Sequence, residues 1–120
     1  MSLRRYANQH STDALSCLVL GHANELRGAR TDAVSDYERA LVRDEHAARG
    51  DPLTLPRLLD LVAYDHPTSN GAARLVWNYW GPRARSAVDE RIASEDDPRL
   101  RARLERLRTS LEPGGTDPTR

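Results

Sequence analysis

Apolar and polar positions follow the period of helices along most of the chain. Apolar residues recur three and four positions apart, no segment sustains an alternation of apolar and polar residues, and β-branched residues are sparse. The sequence therefore predicts an all-α protein of five to seven helices in antiparallel hairpins, forming either a short α-solenoid or a helical bundle.

Caps, glycines and prolines set the predicted helix bounds. We expect helices at about residues 12–26, 31–43, 55–64, 69–80, 83–94 and 97–111. Ser11 or Thr12 is the expected N-cap of the first helix, and Asp97-Pro98 gives the clearest helix start in the chain. The Gly-Asp-Pro sequence within 47–54 predicts a loop.

The domain prediction is a single helical domain over residues 1–112. Pro113-Gly114-Gly115 ends the last helix, and residues 113–120 are expected to be a disordered tail. His66-Pro67 is expected to end the third helix, because a residue before proline is pushed out of the α region. Leu3 and Tyr6 allow a further short helix at the N-terminus.

Small residues recur along the first two helices, and this pattern predicts that the two helices pack very closely. The distance between two helix axes is set by the side chains at the contact, so Gly21 and Ala33 fit a close crossing. Gly28 would make the turn between the helices. Tyr37 would supply the volume that glycine and alanine lack.

This pattern resembles the tetratricopeptide repeat, a helix-turn-helix unit of about 34 residues. The resemblance covers Ala14 to about Ala47 and rests on Leu20-Gly21, Ala23, Gly28, Ala33, Tyr37 and Ala40-Leu41. The chain departs from the family at Cys17 and Asn24, where large aromatic residues are preferred, and at Glu45, which replaces the usual proline. The alternative is an ordinary antiparallel helix pair. A shift of 42 residues, which aligns Tyr37 with Tyr79, suggests a degenerate second hairpin.

The resemblance implies a binding groove lined by the first helix of each hairpin. The residues at its groove-facing positions are Leu15, Leu18, His22, Glu25 and Leu26. Leu18 and His22 replace the lysine and asparagine with which the family holds a C-terminal carboxylate, so a carboxylate clamp is not expected. The remaining apolar strip suits a hydrophobic helix or an extended peptide. The N-terminal segment with Leu3 and Tyr6 is the alternative occupant.

Two further surfaces are candidates for interactions. Trp77 and Trp80 flank Tyr79 and are either core residues or anchors for a partner. The last helix carries a leucine stripe formed by Leu100, Leu104, Leu107 and Leu111. This stripe either forms the interface of a homodimer or is covered by earlier helices, in which case the protein is a monomer.

The composition bears on the partners and on the cellular compartment of the protein. Acidic and basic residues balance at 18 each, so no global field recruits nucleic acid or an anionic membrane. All the basic residues are arginine, which we interpret as the codon bias of a GC-rich, actinobacterial genome. The single cysteine, Cys17, excludes an internal disulfide and favours the cytoplasm. No apolar run reaches a membrane span and no signal peptide is expected.

No constellation of catalytic residues stands out, so the sequence predicts neither catalysis nor a metal nor a cofactor. Phosphate-binding loops, paired cysteines and nucleophile elbows are missing from the sequence. His22 and Glu25 stand in the reverse order of the helix-bundle metal motif, and Asp32 and Asp36 are better explained by the helix dipole.

The leading functional hypothesis is a non-enzymatic protein–protein interaction module, an adapter or a regulatory subunit. The first alternative is a small nucleic-acid-associated regulator that uses the arginine-rich last helix. From Pro82 to Leu111, however, eight arginines face six acids, which disfavours nucleic acid. The second alternative is a helical accessory subunit of an enzyme.

Overall fold

The computed structural model describes the backbone over residues 3–64 and 68–118 and the side chains from residue 13 onward. His66-Pro67 and the side chains of Leu3 and Tyr6 lie outside the described residues. Within the described part the protein is all-α, as predicted, and contains no strand. Its helices are α1 (Leu3–Leu26), α2 (Arg30–Arg43), α3 (Glu45–Gly50), α4 (Thr54–Ala63), α5 (Thr68–Tyr79), α6 (Arg85–Ala93) and α7 (Pro98–Ser110).

Two predicted bounds are wrong. The first helix begins at Leu3, so neither Ser11 nor Thr12 is an N-cap. No glycine or proline interrupts residues 4–11, so the helix continues through them. The predicted 47–54 loop is partly helical, because the Asp44 carboxylate accepts a hydrogen bond from the Ala47 N–H and caps α3.

The start of α7 is confirmed. The Asp97 carboxylate accepts from the Arg99 N–H at 2.9 Å, and Pro98 occupies the first helical position. Both features could be predicted from the sequence, because they depend only on residues that are adjacent in the chain.

The chain divides into two compact units, Met1–Thr54 and Leu55–Arg120. Unit 1 contains α1 to α3, and unit 2 holds α5 to α7 with nearly all of α4. Among the described helices, none combines the length and the apolar character needed to cross a membrane.

In unit 1 a glycine turn joins α1 to α2. Gly28 has a φ of +82°, a conformation that residues with a Cβ rarely adopt. Its N–H donates to the Glu25 carbonyl at 3.0 Å, and the Ala29 N–H donates to the Asn24 carbonyl at 2.8 Å. These two bonds form a Schellman motif, which ends α1 and reverses the chain.

The two helices approach most closely at Gly21. A Cβ built on Gly21 would lie 2.8 Å from Cε1 of Tyr37, closer than such contacts allow. Tyr37 is fully buried, and so are the small residues Ala33 and Ala40 on the same helix. The predicted close packing of small residues around one aromatic ring is confirmed.

The core of unit 2 is aliphatic. Its buried side chains include Leu58, Leu59, Leu61, Val62, Leu75, Val76, Val88, Leu104, Leu107 and Leu111. Two polar contacts lock α4 into this unit: Ser69 Oγ donates to the Val62 carbonyl, and the Arg103 guanidinium donates to the Ala63 carbonyl at 2.9 Å. Within 113–118, where the sequence predicts disorder, Pro113-Gly114 forms a turn, residues 115–117 have no regular structure and Pro118 is buried.

Gly21→Ala should destabilise the protein by about 1–3 kcal/mol, because the new methyl group overlaps a ring that is held on all sides. This reverses the usual gain of about 0.5–1 kcal/mol for replacing glycine by alanine within a helix. Gly50→Ala is the matched control, since a Cβ there meets nothing within 4 Å. Urea unfolding measures both, and equal stabilities for the two variants would contradict the close packing.

Candidate functional site

The predicted groove residues do not share one exposed surface. Leu18 is fully buried in unit 1, and His22 and Glu25 are half-buried. Leu15 and Leu26 are exposed. The five positions diverge because the buried side of α1 faces α2 and α3, whereas Leu15 and Leu26 lie at its edge, turned about 60–80° around the helix from Leu18.

His22 and Glu25 are held by the hydroxyl of Tyr37. Nδ1 of His22 lies 2.6 Å from this hydroxyl, which donates to Oε2 of Glu25 at 3.2 Å. Nε2 of His22 also lies 3.9 Å from a carboxylate oxygen of Asp51. The two polar side chains of the predicted groove therefore make contacts within the α1–α2 hairpin itself.

A second polar contact fixes the same hairpin. The Asn24 amide donates to Asp36 at 2.6 Å, and Asp36 is buried. The Arg39 guanidinium also donates to this carboxylate. Asp36 thus has two partners inside unit 1, which explains how a carboxylate is tolerated there.

Next to the buried side of α1 lies an exposed apolar surface, which we call the α1 face. Leu15, Val19 and Leu26 fall within about 40° of one another around the helix, and Ala23 adjoins them. Their exposed fractions are 47% for Leu15, 66% for Val19 and 75% for Leu26. Ser16 and Leu20 extend the surface on one flank.

The α1 face is uncharged, although 30% of the chain is charged. From Ala14 to Leu26 the only acid is Glu25, which binds Tyr37, and there is no arginine. By contrast Val42, the exposed valine of α2, lies in a shallow surface depression with Glu38, Arg39 and Arg43. An uncharged stretch of this kind marks a surface that a partner can cover without stripping water from charges.

The aromatic candidates lie in unit 2. Trp80 is buried, whereas Trp77 and Tyr79 are half-buried. Burial leaves Trp80 little surface to offer a partner, and its placement fits the core alternative.

The leucine stripe of α7 is covered within one copy of the chain. Leu104, Leu107 and Leu111 are buried and Leu100 is half-buried. α7 packs against α5 and α6, so earlier helices of unit 2 cover the stripe. The stripe therefore gives no basis for a homodimer.

The arginines of α7 are largely engaged within unit 2. Arg101 donates twice to the Glu95 carbonyl, Arg103 donates to the Ala63 carbonyl, and Arg108 binds Asp89. Guanidinium groups held in this way are poorly placed to contact a phosphate backbone.

An ionic cluster connects α4 and α6. Arg91 donates to Asp60 at 2.8 Å and to Glu95 at 3.0 Å. The Asp97 N–H donates to Glu95, and this bond together with the one from Arg91 lowers the pKa of Glu95 below its ordinary value of 4.5, although burial opposes the shift.

Among the described residues, no three His, Cys, Asp or Glu side chains come together as metal ligands would. Cys17 is half-buried and unpaired with any other cysteine. No known protein family, curated protein or solved structure matches this chain.

Leu104→Ala should lower the free energy of unfolding by about 2–5 kcal/mol, because it leaves a cavity in the core of unit 2. Denaturant unfolding measures this loss. Leu53→Ala, at an exposed leucine, is the control and should change stability by about 0.5 kcal/mol or less. If Leu104→Ala keeps wild-type stability but converts a dimer into monomers, the stripe is a dimer interface and the core assignment is wrong.

Glu95→Gln should make the protein less sensitive to acid. The folded-state pKa of Glu95 is lowered, so its stabilising effect is complete above pH 4.5 and is lost as the pH falls through the folded-state pKa. The unfolding midpoint of the variant should be lower than wild type at pH 7 and should converge with wild type once the pH has fallen below the folded-state pKa of Glu95. Glu90→Gln, at an exposed acid of α6, serves as control; parallel pH curves for wild type and Glu95→Gln would contradict the assignment.

Proposed function

We propose that this protein is a non-enzymatic interaction module, an adapter or regulatory subunit, which binds an apolar helix or extended peptide on the α1 face. The observation that carries the proposal is the exposed, uncharged surface around Val19 on a chain that is otherwise densely charged. Leu15 and Leu26, two residues of the predicted groove, belong to this surface.

The buried side of α1 supports the proposal by making the helix rigid. Tyr37 packs against Gly21 and binds both His22 and Glu25, so the helix is fixed from its inner side. A rigid helix loses little conformational entropy when a partner binds, which favours affinity. Leu18, which was predicted to line the groove, is not part of the proposed site, because it is buried.

The tetratricopeptide resemblance of Ala14 to about Ala47 also favours α1, since the family binds ligands along the first helix of each hairpin. We extend the proposal to a cytoplasmic protein, on the basis of the single Cys17. A role in binding nucleic acid is less favoured, because Arg101, Arg103 and Arg108 already bind groups in their own unit.

Val19→Glu should abolish capture of partners, because a charge in a buried apolar interface costs more than the contact it replaces. Burial of a valine-sized side chain contributes about 1.5–3 kcal/mol, so we expect the affinity to fall at least about tenfold. The measurement compares the proteins that immobilised wild type and immobilised variant retain from a lysate of the native host.

Val42→Glu is the matched control, since Val42 is a similarly exposed valine, at 69%, on α2. It should capture the same proteins as wild type. Equal capture by wild type and Val19→Glu, with both folded by circular dichroism, would reject the α1 face as the binding surface.

A further inference from the structure

Four titratable side chains follow one another across unit 1. Asp51 lies in the segment 51–53 between α3 and α4, His22 and Glu25 lie on α1, and Tyr37 lies on α2. Nε2 of His22 is 3.9 Å from Oδ2 of Asp51, and Nδ1 of His22 is 2.6 Å from the Tyr37 hydroxyl. That hydroxyl is 3.2 Å from Oε2 of Glu25. The imidazole of His22 therefore stands between α2 and the segment that follows α3.

The hydrogens carried by these groups suffice for all the contacts only when His22 is protonated. One hydrogen is needed between Nδ1 and the Tyr37 oxygen, one between that oxygen and Glu25, and one between Nε2 and Asp51. The phenol supplies one hydrogen and a neutral imidazole supplies one, so one contact lacks its hydrogen in either tautomer. The imidazolium carries a hydrogen on each ring nitrogen, and with it all three contacts are supplied.

We infer that His22 is a pH-sensitive link, whose protonation closes the 3.9 Å separation from Asp51 and ties the segment 51–53 to α1. The contact then becomes a charge-assisted hydrogen bond. Because Nδ1 of His22 is already in contact with Tyr37, the same proton completes a connection from the segment 51–53 through α1 to α2. The inference goes beyond the proposed function and does not depend on the partner of the α1 face.

The charges at the two ends of this connection favour the protonated form of His22. Asp51 faces Nε2 directly, and Glu25 is reached from Nδ1 through the Tyr37 hydroxyl. An opposite charge at about 4 Å favours the charged form of a titratable group. Two carboxylates thus act on one imidazole from opposite sides.

Other charged groups of the helices packed against α1 compensate one another. On α2 the buried Asp36 carboxylate accepts from Arg39, and on α3 Arg49 donates to Glu45 at 3.1 Å. Burial acts against protonation, but the side chain of His22 retains 18% of its exposure, so this effect is smaller than at a fully buried site.

Titration of the histidines by NMR tests the inference. The chain has four histidines, and the signal of His22 is the one that His22→Gln removes. The titration midpoint of His22 should lie above that of His46, an exposed histidine of α3. Asp51→Asn should lower the midpoint of His22 by about one pH unit, because it removes the facing negative charge.

Asp51→Asn is a mild substitution for this purpose. Oδ1 of Asp51 accepts from the Leu53 N–H at 2.8 Å, and the amide oxygen of asparagine can accept the same bond. Asp32→Asn is the matched control, since it removes the same charge at an exposed position of α2. It should leave the midpoint of His22 unchanged, and circular dichroism should report the same helix content for all variants.

The pH dependence of stability gives a second readout. A folded-state midpoint raised above the unfolded value of about 6.5 stabilises the protein below that value, and this stabilisation is lost as the pH rises through the folded-state midpoint. In urea unfolding, wild type should therefore exceed Asp51→Asn by more at about pH 5.5 than at about pH 8. In a His22→Gln background, Asp51→Asn should have the same effect at both pH values.

Two NMR results would overturn the inference: a His22 midpoint that is unchanged in Asp51→Asn, or a wild-type midpoint that lies below that of His46. The stability measurement rejects it independently if wild type and Asp51→Asn differ by the same amount at both pH values.

Discussion

The ring of Tyr37 packs against bare backbone at Gly21, and the arrangement of unit 1 depends on that contact. A side chain larger than hydrogen at residue 21 would push the ring away, and with it the hydroxyl that binds His22 and Glu25. One small residue therefore sets both the spacing of α1 and α2 and the position of their polar contacts. The turn at Gly28 is equally specific, but it determines only where the chain reverses.

The close approach also decides which side of α1 remains available. α2 and α3 cover Ala14, Leu18 and Gly21, whereas Leu15, Val19 and Leu26 remain exposed among the side chains that the structure describes. His22, Asn24 and Glu25 are turned toward Tyr37 and Asp36, whereas the apolar residues Leu15 and Val19 are exposed. This exposure of apolar side chains is the physical basis of the functional proposal, because an amphipathic surface helix normally exposes its polar side.

Unit 2 shows the ordinary arrangement and provides a contrast. The leucines of α7 are buried, and its arginines bind carbonyls and carboxylates of the same unit. A leucine stripe flanked by arginines therefore describes a helix that completes a core. The same sequence pattern is compatible with an intersubunit seam, since both environments place apolar residues three and four positions apart.

The sequence by itself determined the features that depend on near neighbours: the helical class, the Asp97-Pro98 helix start, the Gly28 turn and the close packing at Gly21. The predicted start of α1 at Ser11 or Thr12 is wrong, because a residue type that favours N-caps also occurs inside a helix when the residues before it are helical. Only the tertiary structure decided which apolar residues face solvent: it buried Leu18 and Leu104 and left Leu15 and Val19 exposed. The reason is physical. Helical period fixes which residues share a face, but what covers that face depends on chain segments distant in sequence.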